Sequence, residues 1–311
     1  MTRKSITIVL ASIDSTKTIE ASVQGFLNEL DGRGQVIVAD ASRDGSTRNL
    51  PESVIVTSHE GGTLAPKLWR EGLIRSDSDL VAFSTGQMVP RPGWLNGLLA
   101  RMESSGAAGV GGPIAAGRGL ASIDKALYLL RYANYLPPVP ESSSFDPPGD
   151  NAIYRRQDLD AVASSWADGF WEVEVHAALR SMGRSVTMAS GAAVEFTGGC
   201  RFGSALGHRW KHARRYGAGR SAGSGLMTRL ARVIVSPVVP ALLLARIIRN
   251  LRSRGEPIGR WLPALPHLGV LLATWSIGEG WGTIAGPNRC RLLGMEHDKP
   301  LKMNTSGTVS P

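Results

Sequence analysis

The 311-residue chain is poor in cysteine, with Cys200 and Cys290 its only two. So distant a pair gives neither a metal-knuckle spacing nor a disulfide framework, and both are read as reduced thiols. Long apolar runs are missing from the N-terminus. Between Met1 and Leu10 about five apolar residues precede polar Ser12 and Asp14, short of the roughly 7–15 that a signal-peptide core needs. The main body of the chain is therefore expected in the cytoplasm. Glycine is lacking where a dinucleotide fold needs it. The turn after the first predicted strand reads Ala11-Ser12-Ile13-Asp14-Ser15-Thr16, not Gly-x-Gly-x-x-Gly, which argues against an NAD or FAD site. Acids are nearly absent from 201–260, where Glu256 faces thirteen Lys or Arg. That segment carries +12 of an overall +9, so the rest of the chain is at −3. A whole-surface nucleic-acid binder has no need of this asymmetry, and no nucleic-acid partner is expected. A basic segment beside apolar runs fits an anionic membrane surface better.

What is present suffices for a core, with apolar residues at 42%. Ser5–Leu10, Gln35–Ala39, Val54–Thr57 and Leu80–Phe83 read as strands. Ser15–Leu30, Leu64–Ile74 and Trp94–Met102 have helical spacing between and after them. This alternation predicts a Rossmann-like, mainly parallel α/β sheet flanked by helices. Ligands of such sheets bind beyond the carboxyl ends of the strands, here Ala11–Asp14, Asp40–Gly45 and Ser84–Val89. Further on, Ala108–Ile114 looks strand-like and Ala121–Tyr135 helical, and Pro137–Pro148 is a Pro/Ser loop. Gly149–Arg155 leads into a helix near Gln157–Ser164. Phe170–Met182 is a helix stopped by Gly183, with strands at Val186–Met188 and Ala192–Phe196. The organisation expected is an α/β domain over 1–205, a basic, hydrophobic helical segment over 206–290 and a polar tail over 291–311. Within the second, Val233–Ala245 is uncharged between Arg232 and Arg246, with Pro237 and Pro240 to kink it, and Trp261–Gly278 is a borderline apolar run. A pair embedded in a membrane or lying in its plane is favoured over the alternative, two core helices.

Asp40, at the end of the second strand, is either a turn acid or, without a glycine loop beside it, a group that binds the base or ribose of a single nucleotide. The motifs in order favour the second. Ile8-Val9-Leu10-Ala11-Ser12-Ile13-Asp14 through Glu20 resembles the opening of family-2 glycosyltransferases, with Ala11 and Asp14 replacing the usual Pro and Asn. Val36–Thr47, containing Asp40, is similar to that family's base-binding strand and turn. Pro90–Leu95 resembles the segment after its metal motif, and Gly149–Arg156 its acceptor-side turn. Trp171-Glu172-Val173-Glu174 stands where the catalytic acids belong, and Trp275–Gly282 is similar to the hydrophobic end of some bacterial members.

The resemblance implies a GT-A fold with a C-terminal hydrophobic helical extension. It also implies an inverting transfer of a sugar from a nucleotide diphosphate, with UDP the family-level expectation, to a glycan or lipid-linked hydroxyl at the cytoplasmic face of the membrane. Glu172 aligns with the general base, and Glu174 and Asp168 are its substitutes. Ala11, Ser12, Asp14, Asp40, Ser42, Lys67 and Gln87 are the implied nucleotide contacts, and Asp150, Asn151 and Trp171 the acceptor contacts. The family holds Mg or Mn with an Asp-x-Asp-like pair after the fourth strand. Here that turn is Ser84-Thr85-Gly86-Gln87-Met88, with no acid, and a later His position is Phe196. The metal ligands are thus undefined, and Arg209, Arg214, Arg215, Lys67 and Arg70 are the candidates for neutralising a diphosphate. His176, one turn after Glu172, reads as an ordinary surface histidine. The same missing acids suit an alternative, a catalytically degenerate scaffold that binds a nucleotide sugar or glycan.

Overall fold

β-Branched and aliphatic runs build the centre. The computed structural model describes residues 4–13, 15–42, 45–142, 145–221 and 224–290. Strand β1 (Ile6–Ser12) is buried at every position, as a central strand covered on both faces must be. Helix α1 (Ile19–Leu30) leads to β2 (Gly34–Asp40), and after β3 (Ile55–Ser58) helix α2 (Ala65–Ile74) leads to β4 (Leu80–Thr85). These four strands are parallel. Their register sets Ser12 opposite Asp40 and Ala11 opposite both Ala39 and Thr85, so the three predicted ligand-side ends line up along one edge.

Beyond β4 the chain forms β5 (Met88–Pro90), α3 (Trp94–Ser105), β6 (Gly109–Gly111), β7 (Ile114–Ala116) and α4 (Ser122–Tyr132). Then come β8 (Ala152–Arg155), α5 (Arg156–Ala161), α6 (Glu172–Ser181), β9 (Val186–Met188) and β10 (Val194–Phe196). The main sheet has the order β3-β2-β1-β4-β8-β6-β9, and β5-β10-β7 form a small second sheet. Two local expectations are corrected. The stretch before Arg156 is not only a lead into a helix: β8 inserts antiparallel between β4 and β6, with Ala152, Ile153 and Tyr154 buried. The segment after β4 is likewise no simple polar turn, since Met88–Pro90 pairs antiparallel with β10. Both strands are too short to show a period of their own. Under the sheet Phe83 meets Phe170 at 4.3 Å between ring centroids, and Tyr154 meets Phe170 edge-on at 5.2 Å.

Four more helices follow: α7 (Phe202–Ser221), α8 (Leu226–Val235), α9 (Val239–Ser253) and α10 (Leu265–Cys290), the last interrupted at Gly286 (φ 69°, ψ 172°). The chain divides into two compact units, Met1–Ala205 with Leu244–Gly269, and Leu206–Leu243 with Val270–Pro311. In the first, the returning arm is anchored by Trp261, which stacks on Tyr128 of α4 at 5.4 Å and 9°. The break expected at Pro237 is a 3-10 turn, Ser236–Val238. Among the described residues no single helix is long and apolar enough to cross a membrane. The bent pair Met227–Val235 and Val239–Ser253 meets the length and composition together. The polar tail 291–311 lies outside the described residues.

In the second unit α7 and α10 touch backbone to backbone. A Cβ on Gly217 would sit 2.1 Å from the Glu279 carbonyl oxygen, and one on Gly282 2.1 Å from that of Arg214. Glu279 is buried there and ties the pair, accepting from Arg220 Nη1 at 2.8 Å and Trp275 Nε1 at 3.0 Å. Since backbone has nowhere to move, Gly217→Val is expected to lower stability by about 1–3 kcal/mol. Urea unfolding measures this, and hydrogen exchange should show the loss of protection concentrated in 270–286.

Candidate active site

The parallel strands deliver Asp40 to the carboxyl edge. Its carboxylate closes the turn that follows: Oδ1 accepts from the Ser42 amide at 3.0 Å and Oδ2 from the Thr47 hydroxyl at 3.2 Å. The turn reading of Asp40 is thus realised, and each oxygen retains a lone pair for a ligand donor. Ser12 is fully buried, its hydroxyl 3.3 Å from that of Ser42 and its carbonyl accepting from Ala41. Ala11 is in the core, and its carbonyl accepts from the Gly86 amide at 3.0 Å. Asp14 lies outside the described residues.

Next along the edge, β4 meets the turn 149–151. Ser84 donates its hydroxyl to the Asp150 carbonyl at 2.9 Å, and Trp69 Nε1 donates to the Ser84 carbonyl at 2.7 Å. Asn151 locks this turn from beneath. Its Oδ1 accepts from Trp94 Nε1 at 2.6 Å, and its Nδ2 donates to the carbonyls of Pro113 and Ala192 at 2.9 and 3.0 Å. With its amide fully used and no exposed surface, Asn151 holds the acceptor-side turn instead of offering itself to a ligand. Asp150 is the outward member of the turn. Arg131, from the last turn of α4, reaches its Oδ1 and Oδ2 with Nη2 at 2.9 and 3.2 Å.

Glu172 opens α6, with Trp171 as the preceding N-cap residue. A Cβ on Gly149 would lie 3.3 Å from Glu172 Oε2 and 2.9 Å from the Trp69 ring, so carboxylate, indole and turn share one wall. Burial pushes the Glu172 carboxyl up to about 7; Asp150 and Asp146 add to this, while its own backbone amide and Arg131 oppose it. The residue as a whole is half-buried. The sequence expectation for His176 is overturned: it is fully buried, 2.8 Å from the Tyr154 hydroxyl, with Nδ1 facing Asp146 Oδ1 at 3.4 Å. The bond to His176, aided by Arg180, draws Asp146 down to about 2 although its partial burial opposes this.

No family model matches the chain, and no curated protein matches it. Among solved structures it is similar to the mannosyltransferase PcManGT from Pyrobaculum calidifontis, in complex with GDP-Man and Mn2+, at a TM-score of 0.50 and 13% identity, over 90% of this chain and 88% of that one. The fold is similar to that of a glycosyltransferase.

On this fold Glu172, Asp150 and Trp171 come together, while Glu174 is exposed on the other side of the first turn of α6. Asp168 is half exposed and 3.9 Å from Lys67, so that these two belong to one surface pair. Arg70 is drawn to the Ala167 carbonyl at 2.7 Å and to Glu71. Gln87 points its amide to the Cys200 thiol at 3.3 Å, and the Cys200 amide donates to Asp124 at 2.9 Å. Burial pushes that thiol up to about 12, which keeps it neutral, and Cys200 is a free cysteine as expected. Arg209, Arg214 and Arg215 belong to the second unit, where Arg209 stacks on Trp275 at 3.9 Å and Arg214 lies over Trp210 at 5.7 Å.

The turn after β4 does not fit a divalent cation. Ser84 is committed to Asp150, the Thr85 hydroxyl is buried, and Gln87 faces a thiol. Among the described residues no three His, Cys, Asp or Glu side chains converge as a hard cation requires. Sequence reasoning missed Arg131 altogether, because a lone arginine on an amphipathic helix carries no pattern. Asn151→Ala would leave a buried indole N–H and two carbonyls unpaired. It is expected to cost about 2–4 kcal/mol in a urea titration.

Proposed function

We propose that the chain is an inverting glycosyltransferase that moves a sugar from a nucleotide diphosphate to a hydroxyl acceptor, with Glu172 as general base. The observation that carries this reading is Glu172 itself, half-buried against the 149–151 turn of a glycosyltransferase-like fold and tuned to about 7. A base near the working pH is ionised often enough to act and basic enough to accept a proton. The carboxylate takes the proton of the acceptor hydroxyl as its oxygen attacks the anomeric carbon. The bond from that carbon to the diphosphate oxygen breaks on the opposite face, and the electron pair leaves with the diphosphate. Asp40 and its turn receive the nucleoside, in line with the sequence resemblance. The neutral turn Ser84–Gln87 favours a second reading, a binding protein without turnover. Release of free nucleoside diphosphate from a panel of sugar nucleotides by the purified protein separates the two.

Glu172→Gln is expected to lower transfer about 100- to 10,000-fold while nucleotide binding, by calorimetry, stays within about twofold. Because the ionised form is the active one, kcat/KM should rise about tenfold per pH unit below a midpoint near 7 and flatten above it. Full turnover in the Gln variant would remove Glu172 from this role.

The second unit supports a place at the cytoplasmic face of a membrane. Met227, Ile234 and Leu242 are 78%, 76% and 61% exposed, and Ile277, Trp281 and Ile284 are exposed on α10. Such apolar surface in a unit whose 206–243 segment carries seven cationic residues and no acid suits helices lying in an anionic interface. Ile234→Glu should weaken cosedimentation with vesicles containing phosphatidylglycerol at least tenfold and leave the fold intact by circular dichroism. Wild-type protein that ignores such vesicles would refute the placement.

A further inference from the structure

The turn after β4 lacks ligands for a cation, yet a leaving diphosphate needs positive charge close to it. A cation stands beside that turn. Arg131 is bound to Asp150, whose carbonyl is held by Ser84, near the end of β4 and just before the carboxylate-free turn. Its side chain is 39% exposed against 11% for Asp150, so the pair presents the guanidinium outward. Every hydrogen bond it makes among the described residues runs from Nη2, which leaves the Nε and Nη1 donors of the fork available. The ring of Tyr132 lies 5.0 Å from the guanidinium carbon and braces it. Glu172 is within electrostatic reach on the other side of the same turn. Burial disfavours the charge on Arg131, and Asp150, together with Tyr132, Cys200 and Glu172, more than restores it. A fixed, permanently charged planar fork with spare donors is what a pair of phosphate oxygens requires.

We propose that Arg131, held by Asp150, receives the diphosphate of the sugar nucleotide and supplies the positive charge for which the Ser84–Gln87 turn has no metal ligands. This assignment rests on the sugar-nucleotide reading and adds a diphosphate-binding residue to it. A lysine in its place would keep a charge but lose the fork, so the conservative variant is informative.

The test is calorimetric binding of UDP, GDP and dTDP, with the matching monophosphates, to the full chain in EDTA and then in Mn2+. Wild-type protein is expected to bind one diphosphate in EDTA at least tenfold more tightly than its monophosphate. Arg131→Gln should abolish that preference, and Arg131→Lys should retain part of it. If Arg131→Gln fails to fold because Asp150 is left unpaired, the double variant Arg131→Gln/Asp150→Asn removes both charges and carries the same expectation. Retention of the diphosphate preference in a folded Gln variant overturns the assignment and leaves the enzyme reading standing. So does wild-type binding that vanishes in EDTA and returns with Mn2+. A wild-type protein that binds no nucleoside diphosphate under either condition overturns the sugar-nucleotide reading, and this one with it.

Discussion

The side-chain amide of Asn151 is the constraint on which the site depends. Its three hydrogen bonds join four separate parts of the chain: α3 through Trp94, the link between β6 and β7 through Pro113, the turn at Ala192, and the start of β8. Each such bond is worth only about 0.5–1.5 kcal/mol net, but all the partners are buried, so losing the amide strands several groups at once. What this secures is the shape of 149–151. Gly149 then fits against Trp69 and Glu172, and Asp150 pairs with Arg131. Glu172 and Arg131 are therefore both placed against one short turn.

Electrostatics divides the carboxylates of this region into roles. Glu172 is pushed up by burial and Asp146 drawn down by His176, so at neutral pH one is poised to exchange a proton and the other is a fixed charge. Asp146 thereby pins α6 through His176 and Arg180. The pH dependence of folding follows with opposite signs. The contribution of Asp146 is present above its ordinary 3.8 and lost as pH falls towards about 2. The preference for a protonated Glu172 is present in full below 4.5 and lost as pH rises through about 7. The protein therefore gives up some stability to keep an ionised Glu172 at the ligand edge.

The parallel half of the sheet was legible in the sequence because β1, β2 and β4 are continuous aliphatic runs that a two-faced burial demands. The order of the motifs singled out Asp40 and Glu172, and the fold sets the first at the end of β2 and the second at the start of α6. The antiparallel β8 was not, because four residues between Asn151 and Arg156 carry no period. His176 was misread for a related reason. Its burial depends on Tyr154 and Asp146, residues 22 and 30 positions away, and the weakly apolar α6 gives no warning of it. Nor does any local signal place 244–269 with the α/β unit. Trp261 finds Tyr128 only through the tertiary fold. The absent acids at Ser84–Gln87 raised the metal question in the sequence, whereas the pairing of Arg131 with Asp150 became visible only in the fold.

That contact also couples the two ends of the site. In the unliganded protein Arg131 lowers the pKa of Glu172 while Asp150 raises it. A diphosphate on Arg131 would cancel the first influence, add negative charge near the second, and so make Glu172 more basic once the donor is in place. The base would then be strongest when an activated sugar stands ready to be attacked and weaker when the cleft is empty. A divalent cation would match the two negative charges of a sugar-nucleotide diphosphate and leave a neighbouring carboxyl little shifted. A single arginine leaves one of those charges uncompensated, and that residual negative charge would raise the pKa of a neighbouring carboxyl. With Glu172 set near 7 chiefly by burial, the fixed single charge of Arg131 would thus be the better match to a carboxylate that must accept a proton at neutral pH.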